Sequence, residues 1–515
     1  MTRSHPRPAA RAAGLLLLTL AAAQARAQDD QLWLVEGRTA AGVPYHGALR
    51  LEPAGAGWRY RRTTRDARGR ELEERGLAAW SEGSGGEALL RTTPGAGTGL
   101  SARLTSGAGR ELSPPPGRYL VQDDTGLGVR AGFERLRRLR PGETLNDVRL
   151  LLDAEGFAAI RAELRRARRS IEIQTFHWQD DATGRAVAEI LLERARAGVR
   201  VRCLVDALTR QNSKATGGVD FTRGLADELR AAGAEVIVAH PLRRTLLGTL
   251  LLRREGERRG LLNHDHRKLF IVDGRVGFTG GMNITADYEH VWHDAMVRVE
   301  GPAAQAMREL FADRWLAARG GPLEPSPEPS PAPPTGTPVQ LLSSVPGVRQ
   351  EIKPMYLAGI RGARRQVLVE NPYVLDDDVV SALGDRARQG DGRVVLIVPS
   401  DAHQDVAFVT HAFGWIENEL IRSGVELYRY RGRMVHAKVA VFDDVVTVGS
   451  ANLDVQSLQR LCEANVVCRD GRLARTLERR VFLPDMAGSD RAQLRALPWW
   501  QRITSGLFHL LRRLL

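Results

Sequence analysis

The sequence predicts an α/β fold of two pseudo-twofold-related α/β sandwich domains, preceded by a small all-β domain. Up to about residue 140, short apolar runs alternate with Gly, Pro, Asp and Ser, a pattern typical of strands and turns. From residue 145 onward, helix patterns alternate with strand patterns. This alternating region occurs twice, and both copies contain the same short motif, so a duplicated domain is the economical explanation.

The first 27 residues have the pattern of a secretory signal peptide. Arg3, Arg7 and Arg11 form a basic region, residues 14–23 are apolar, and residues 25–27 read Ala-Arg-Ala, a small-residue cleavage site. We therefore expect export to the periplasm or cell envelope. An uncleaved membrane anchor is the alternative, although the apolar run is short for a membrane-spanning helix.

Residues 28–140 are predicted to form a β-rich accessory domain, either a sandwich or a barrel. The predicted strands are residues 32–35, 45–51, 58–63, 77–80, 88–91, 100–104 and 118–121. No pattern of catalytic residues lies in this region, so its function stays open.

Two α/β domains are predicted at residues 145–319 and 339–515, with a Pro-rich linker at residues 320–338. In the first domain the helices are predicted at 154–168, 186–197 and 221–232, and the strands at 170–175, 199–206 and 234–239. In the second domain the helices are predicted at 347–361, 379–388 and 408–422, and the strands at 366–370, 393–398 and 425–428.

The composition favours an anionic partner, because the formal net charge is +13. Nucleic acid, an acidic membrane surface and phosphate esters all fit this charge. The chain has three cysteines and no Cys-x-x-Cys pair, so we expect neither a zinc site nor a structural disulfide.

Both α/β domains contain a His, a Lys two residues later, an Asp five residues after the Lys, and an Asn that ends a Gly-rich turn. The first copy contains His266, Lys268, Asp273 and Asn283, and the second contains His436, Lys438, Asp443 and Asn452. Alternate residues of a strand share a face, so the His and Lys of each copy point the same way. The Asp belongs to the catalytic motif, but its odd spacing turns it away, and this favours a structural role.

A pocket shared by the two copies suits a phosphodiester. The lysines neutralise the non-bridging oxygens, and the Asn side chains Asn283 and Asn452 supply further donors to the phosphate. One imidazole attacks phosphorus while the other protonates the leaving oxygen. The resulting phosphohistidine then reacts with water or an alcohol. This chemistry requires no metal and no cofactor.

The motif segments HDHRKLFIVDGRVGFTGGMN and MVHAKVAVFDDVVTVGSAN resemble the two HKD motifs of the phospholipase D superfamily. The resemblance covers about residues 150–515 and is nearest to the bacterial cardiolipin synthases, on segments such as VRVEGP at 297–302 and NPY at 371–373. It implies two phospholipase D-like domains. It also implies that acids at Asp294 and Glu463 orient the histidines, with His266 as nucleophile and His436 as general acid and later base.

Several further residues have two interpretations. Phe176, His177, Trp178 and Tyr373 either line the pocket mouth or pack in the core, and His264 and His293 are interpreted as rim or structural residues. Residues 241–259 and the amphipathic C-terminal tail at 497–515 mix Leu with Arg. Each suits either the surface of an anionic membrane or packing on the protein itself.

The leading hypothesis is a phospholipid phosphodiesterase or phosphatidyltransferase that acts at a membrane. Hydrolysis and transfer share one intermediate, so the sequence leaves the choice between them open. An exported endonuclease with the same site is the enzyme alternative, and nucleic acid is a partner only in that case. The third hypothesis is a non-catalytic membrane-binding protein. The oligomeric state is left open.

Overall fold

The computed structural model describes residues 140, 142–215, 217–239, 264–324 and 336–494, together with strand segments between residues 31 and 138. The predicted signal peptide and the predicted amphipathic segments at 241–259 and 497–515 lie outside the described residues. The chain divides into two compact units, and the second of them begins at Gly142.

The first unit contains eight antiparallel strands that close into a barrel, because β8 pairs with β1 as well as with β7. The strands are β1 (Gln31–Arg38), β2 (Pro44–Ala54), β3 (Gly57–Asp66), β4 (Glu71–Glu82), β5 (Ala88–Pro94), β6 (Leu100–Leu104), β7 (Gly117–Asp123) and β8 (Gly132–Arg138). Each run expected from the sequence lies inside one of β1 to β7, whereas β8 was not expected. The extent of a separate domain at 28–140 stays a prediction.

The second unit contains both α/β halves. The first half consists of β9 (Thr144–Leu152), α1 (Ala154–Arg166), β10 (Ser170–Thr175), α2 (Ala182–Arg196), β11 (Arg200–Asp206), α3 (Thr209–Ala215), α4 (Leu225–Ala231), β12 (Glu235–Ala239), β13 (Leu269–Val272), β14 (Val276–Gly280), β15 (Ala295–Glu300) and α5 (Pro302–Ala317). A 3-10 turn at Phe221–Arg223 precedes α4, and a π-helical turn at Asp287–Val291 precedes β15.

The second half consists of β16 (Thr337–Val345), β17 (Arg349–Gln350), α6 (Ile352–Gly362), β18 (Gln366–Glu370), α7 (Asp377–Arg388), β19 (Arg393–Pro399), α8 (Ala407–Arg422), β20 (Glu426–Tyr430), β21 (Val439–Phe442), β22 (Val445–Gly449), α9 (Val455–Gln459), β23 (Glu463–Arg469), α10 (Gly471–Leu477), α11 (Leu483–Ala487) and β24 (Ser489–Arg491). A π-helical turn at Glu478–Phe482 joins α10 to α11.

Both halves have the same strand order. It reads β12-β11-β10-β13-β14-β15-β9 in the first half and β20-β19-β18-β21-β22-β23-β16 in the second. Strands β9 and β16 pair antiparallel, with Leu145 opposite Pro338, and so join the halves into one sheet. An antiparallel pair of corresponding strands at the junction, with the same strand order on either side, is the pattern of a local twofold between the halves.

The structure contains elements that the sequence analysis did not predict, and three differences bear on how the halves are built. Strands β9 and β16, which join the halves, were not predicted. The helix expected at 221–232 is interrupted at Gly224, which separates a 3-10 turn from α4. The helix expected at 347–361 begins only at Ile352, because the preceding residues turn back to pair β17 with β16.

The motif strands β13 and β21 separate the hydrophobic cores. Leu269 and Ile271 face an inner core that contains residues of both halves, whereas Phe270 and Val272 face the helices of the first half. In the second half, the residues of β21 alternate in the same way between the inner core and the outer helices. Strand β14 packs against β22 and β23, so the two halves share the inner core. The three cysteines are free and buried.

The motif aspartates lie at the far ends of β13 and β21, away from the histidines. The Asp273 carboxylate accepts hydrogen bonds from the backbone N–H groups of Arg168, Arg169 and Ser170, at distances of 2.7–3.2 Å. Asp443 accepts three equivalent bonds from residues 364–366. Both aspartates have positive φ, 53° and 55°. Each therefore fastens the end of a motif strand to the start of its neighbour, which is the structural role that the odd spacing of Asp273 and Asp443 favours.

Replacing Asp443 by Ala should lower the free energy of unfolding by about 2 kcal/mol, since three backbone N–H groups lose their acceptor. Asp444→Ala is the matched control, because the neighbouring Asp444 forms only an exposed ion pair with Arg365 and should change stability by less than about 0.5 kcal/mol. Urea unfolding of both variants measures the difference. Equal effects would contradict the structural role of Asp443.

Candidate active site

The two histidines lie in extended segments just ahead of β13 and β21, where the halves meet. The backbone N–H of His266 donates to the carbonyl of Cys462 at 3.0 Å, and that of His436 donates to the carbonyl of His293 at 2.7 Å. Each bond crosses from one half to the other. Main-chain hydrogen bonds therefore bring the two copies of the motif together.

Each motif histidine is paired with an acid from the other half. Nδ1 of His266, in the first half, lies 2.9 Å from Oε1 of Glu463 in the second. Nδ1 of His436, in the second half, lies 2.7 Å from Oδ2 of Asp294 in the first. A carboxylate that accepts from Nδ1–H fixes the imidazole tautomer and leaves Nε2 available for reaction. The structure thus places both expected acids at histidines, each at the histidine of the other copy.

Both motif lysines are fully buried beside their histidines. Nζ of Lys268 donates to the carbonyl of His266 at 2.6 Å, and Lys438 donates to the carbonyl of His436. Burial lowers the pKa of Lys268 to about 7 and that of Lys438 to about 8, because an ammonium group is poorly solvated there. A bound phosphate anion would stabilise the charged form of both lysines.

The electrostatics show that the motif residues share one site. The pKa of His436 lies well below its usual value because of burial and because of the charges of Lys438, Lys268 and His266. Burial also lowers the pKa of His266, against the opposing effect of Glu463. Burial and the neighbouring positive charges therefore favour the neutral form of both imidazoles.

The two acids have different surroundings. Glu463 accepts hydrogen bonds from the hydroxyl groups of Ser450 and Ser457. At the position of Ser450 the first copy has Gly281, where an added Cβ would lie 2.2 Å from Oδ1 of Asp294. Burial raises the pKa of Asp294 to about 7, so near neutral pH this carboxyl group is partly protonated. The two histidine–acid pairs are therefore not equivalent.

The two motif asparagines also differ. Nδ2 of Asn283 donates to the hydroxyl of Tyr288 at 2.8 Å, and its Oδ1 accepts from the backbone N–H of His177 at 3.1 Å. The buried Oδ1 of Asn452 has no hydrogen-bond partner among the described residues. The contact of the Asn452 amide with a phosphate group stays a prediction, whereas the Asn283 amide already has partners in its own turn.

Aromatic rings surround the histidines. The Phe176 ring contacts His266 edge-on at 4.9 Å between centroids, and Tyr288 and Trp292 contact His436 at 4.9 and 5.2 Å. Phe176 was expected near the pocket. Tyr288 and Trp292 were missed, although their position between the first motif and Asp294 was a possible signal. Ser450 and Ser457 were missed as partners of Glu463, since nothing in their spacing relates them to that acid.

The remaining candidates have mainly structural partners. Trp178 is fully buried and stacks on Phe221, and Tyr373 donates to Asp405 at 2.7 Å. His264 Nδ1 lies 2.9 Å from Asp206. Nε2 of His177 lies 3.2 Å from the Ser213 hydroxyl, and burial and the charge of Lys268 lower the pKa of His177 to about 4. The charge of Lys268 thus acts on His177, and Asp405, the partner of Tyr373, acts on Lys438.

Comparison with known proteins identifies the family. Residues 160–315 and 356–481 match the family model described as cardiolipin synthase, PLD-like domain. A cardiolipin synthase of Geobacillus kaustophilus is 32% identical over 323 residues, which are 60% of this chain and 60% of the relative. Cardiolipin synthase A of Pseudomonas putida is 32% identical over 349 residues, which are 65% of this chain and 67% of that protein.

The fold has a counterpart among solved structures. Phosphatidylserine synthase of Haemophilus influenzae superposes with a TM-score of 0.55 and 13% identity, over 72% of this chain and 95% of that one. The predicted fold class, a repeated phospholipase D-like α/β domain, is thereby confirmed. The chain belongs to the phospholipase D superfamily, in the cardiolipin synthase branch. The match spans 60% of the length of the Geobacillus relative.

Among the described residues, none of the helices combines the length and the apolar character needed to cross a membrane.

Gly281→Ala should slow turnover of a phosphodiester such as bis(p-nitrophenyl) phosphate by about ten- to a hundredfold, since the new methyl group displaces Asp294 from His436. Gly362→Ala is the matched control, because a Cβ at that exposed helix end meets nothing within 4 Å. Steady-state rates of both variants measure the effect. An unimpaired Gly281→Ala enzyme would show that the Asp294 contact is dispensable.

Anion affinity should fall as the pH rises. Lysines whose pKa values are lowered to about 7 and 8 carry their charge below those pH values and lose it above them. Sulfate keeps a constant charge, so its affinity should decrease at least about tenfold between pH 6 and pH 9. Calorimetric titration with sulfate checks this, and an affinity that is independent of pH would contradict the lowered pKa values.

Proposed function

We propose that this protein is a phosphatidyltransferase of the cardiolipin synthase type, which moves a phosphatidyl group from one phospholipid to a hydroxyl group of another. The exchange of acids between the halves carries the proposal. It holds Nδ1 of each histidine against an acid, so that Nε2 is the ring nitrogen left for the reaction. Nε2 of His436 lies 3.0 Å from Nζ of Lys438, and two imidazoles beside two lysines are the arrangement needed for two-step displacement at phosphorus. Membership of the cardiolipin synthase branch supports a phospholipid substrate.

In the first step, Nε2 of His266 attacks the phosphorus atom. The bond between phosphorus and the headgroup oxygen breaks as His436 gives a proton to that oxygen. The products are a phosphatidyl group bonded to His266, a neutral His436 and a free headgroup alcohol. Lys268 and Lys438 stabilise the charge that builds up on the non-bridging oxygens, and Asn452 supplies a further hydrogen bond.

In the second step, His436 takes the proton of the acceptor hydroxyl. The acceptor oxygen bonds to phosphorus while the P–N bond to His266 breaks. His266 is released as a neutral imidazole and His436 is again protonated, so the site is ready for another cycle. Water in place of the acceptor alcohol would turn the same step into hydrolysis.

The different surroundings of the two acids support these roles. Asp294, with its raised pKa, holds a proton beside Nδ1 of His436. When a phosphodiester anion offsets the charges of the two lysines, the pKa of His436 rises and this histidine becomes the proton donor. His266 lies beside Glu463, which two serine hydroxyls hold in place. That histidine remains neutral and nucleophilic.

Burial of the site favours transfer over hydrolysis. His266 and His436 are only 7% and 4% exposed, and both lysines are fully buried. A site closed to bulk water gives a bound alcohol the advantage over water in reaching the intermediate.

We place the protein in the cell envelope, at an anionic membrane surface. This rests on the signal pattern of residues 1–27, the net charge of +13 and the two amphipathic segments. The location can be tested in cells that make the full chain. Their cytoplasmic and envelope fractions are compared for the formation of cardiolipin from lipid vesicles. Activity confined to the cytoplasm would contradict it.

Purified protein should convert vesicles of phosphatidylglycerol and phosphatidylethanolamine to cardiolipin, as followed by mass spectrometry. His266→Ala and His436→Ala should each reduce the rate by at least about a hundredfold. Phosphatidic acid as the only product would make the protein a hydrolase. Equal turnover by the wild type and both variants, or no lipid turnover at all, would refute the proposal.

A phosphatidyl ester of p-nitrophenol separates the two roles, since nitrophenolate leaves without a proton. His436→Ala should still release a burst of nitrophenol, and His266→Ala should release none. The opposite result would exchange the nucleophile and the acid.

A further inference from the structure

We infer that the buried side chains of His293, Glu370 and Asp485 form a binding site for a first-row divalent cation, with Zn²⁺ as the probe. His293 precedes β15, Glu370 ends β18, and Asp485 lies in α11. All three are buried. The cluster is distinct from the pocket of the motif histidines.

The spacing of the ligand atoms suits one metal ion. Nε2 of His293 lies 3.1 Å from Oδ2 of Asp485 and 3.8 Å from Oε1 of Glu370. One ligand atom from each residue lies within 4.8 Å of the others. Ligands bound at about 2.1 Å to a tetrahedral or octahedral ion are about 3.0–3.4 Å apart. Small side-chain movements therefore bring the three atoms onto one ion.

The orientation of His293 is the one that a metal ligand needs. Nδ1 lies 2.9 Å from Oδ1 of Asp153, and Arg433 also bonds to Asp153. A carboxylate at Nδ1 directs the lone pair of Nε2 toward the opposite side, here toward Asp485 and Glu370. Carboxylate–histidine pairs of this kind commonly support metal ions in proteins.

Glu370 supplies an independent indication. It is fully buried, and neither of its carboxylate oxygens has a hydrogen-bond partner in the described part of the chain. Its ion-pair partner, Nε2 of His293, lies 3.8 Å from Oε1, and a metal ion would supply the direct contact that these buried oxygens lack.

The charges of the cluster also favour a divalent cation. Three carboxylates, those of Asp153, Glu370 and Asp485, face Arg433 and His293. These side chains offer a divalent cation one imidazole nitrogen and carboxylate oxygens, a donor set that first-row divalent ions accept.

The fold does not require these residues, because the corresponding positions in the other copy have different side chains. Glu370 and Gln174 occupy corresponding positions in the two halves. Each lies four residues after a residue, Gln366 or Ser170, whose backbone N–H donates to the motif aspartate. Gln174 is buried but neutral. The residue before the histidine-orienting acid is His293 in one copy and Cys462 in the other. The symmetry-related position, which has Gln174 and Cys462, therefore lacks the counterparts of two of the three ligands.

The position of the site indicates a structural role. The carbonyl of His293 accepts the backbone N–H groups of His436 and Ala437. A cation would thus fix the segment that carries His293 and Asp294 against β18 and α11. It would stabilise the surroundings of the active site without contacting the substrate.

Tag-free full-length protein, stripped with a chelator and dialysed against ZnCl₂, should retain stoichiometric zinc by mass spectrometry of the metal. Its melting temperature should rise by at least about 3 °C over the stripped protein. Glu370→Gln and Asp485→Asn should lose both the retained zinc and the rise in melting temperature. The stripped Glu370→Gln variant should be at least as stable as the stripped wild type, because it no longer buries this carboxylate.

Glu417→Gln is the matched control, since Glu417 is also buried in the second half but pairs with Arg429. It should be less stable with and without zinc, yet retain zinc binding. Absence of bound zinc and of any zinc-dependent stabilisation in the wild type would overturn the inference. So would equal zinc retention by Glu370→Gln, Asp485→Asn and the wild type.

Discussion

The exchange of histidine–acid contacts between the halves is the constraint on which the rest of the structure depends. His266 needs Glu463 from the other copy, and His436 needs Asp294. Neither half alone contains a complete pair. The β9–β16 junction, the shared inner core and the backbone bonds at Cys462 and His293 all hold the halves at the distance this exchange requires.

Burial follows from this arrangement and gives the site its chemical properties. Two lysines between two packed halves have little access to water, so their pKa values are lowered. The proposed substrate, an anionic phosphodiester, would stabilise the charged form of both lysines. The proposed transfer reaction uses the same closure, because a pocket that excludes bulk water gives a bound alcohol the advantage over water.

The two halves of the site have the same motif, but the residues around the two acids differ. Ser450 in one copy corresponds to Gly281 in the other, so one acid is held by hydroxyl groups while the other packs on bare backbone. The same divergence placed Glu370 and His293 where the other copy has Gln174 and Cys462. A symmetric pocket would offer no physical reason for one histidine to attack and the other to donate a proton.

Much of this protein was predictable from local patterns alone. The repeated His-x-Lys spacing, the alternating helices and strands and the Pro-rich linker predict the duplicated α/β fold and the identity of the reactive residues, because these features depend on neighbours along the chain. The pairing of β9 with β16, the assignment of each acid to the opposite histidine and the engagement of Asn283 by Tyr288 were decided only by the tertiary structure. The first two are contacts between segments that lie far apart in the sequence, and the third depends on the conformation of the turn that carries Tyr288. The spacing of residues along the chain does not reveal which side chains will meet when two halves pack together.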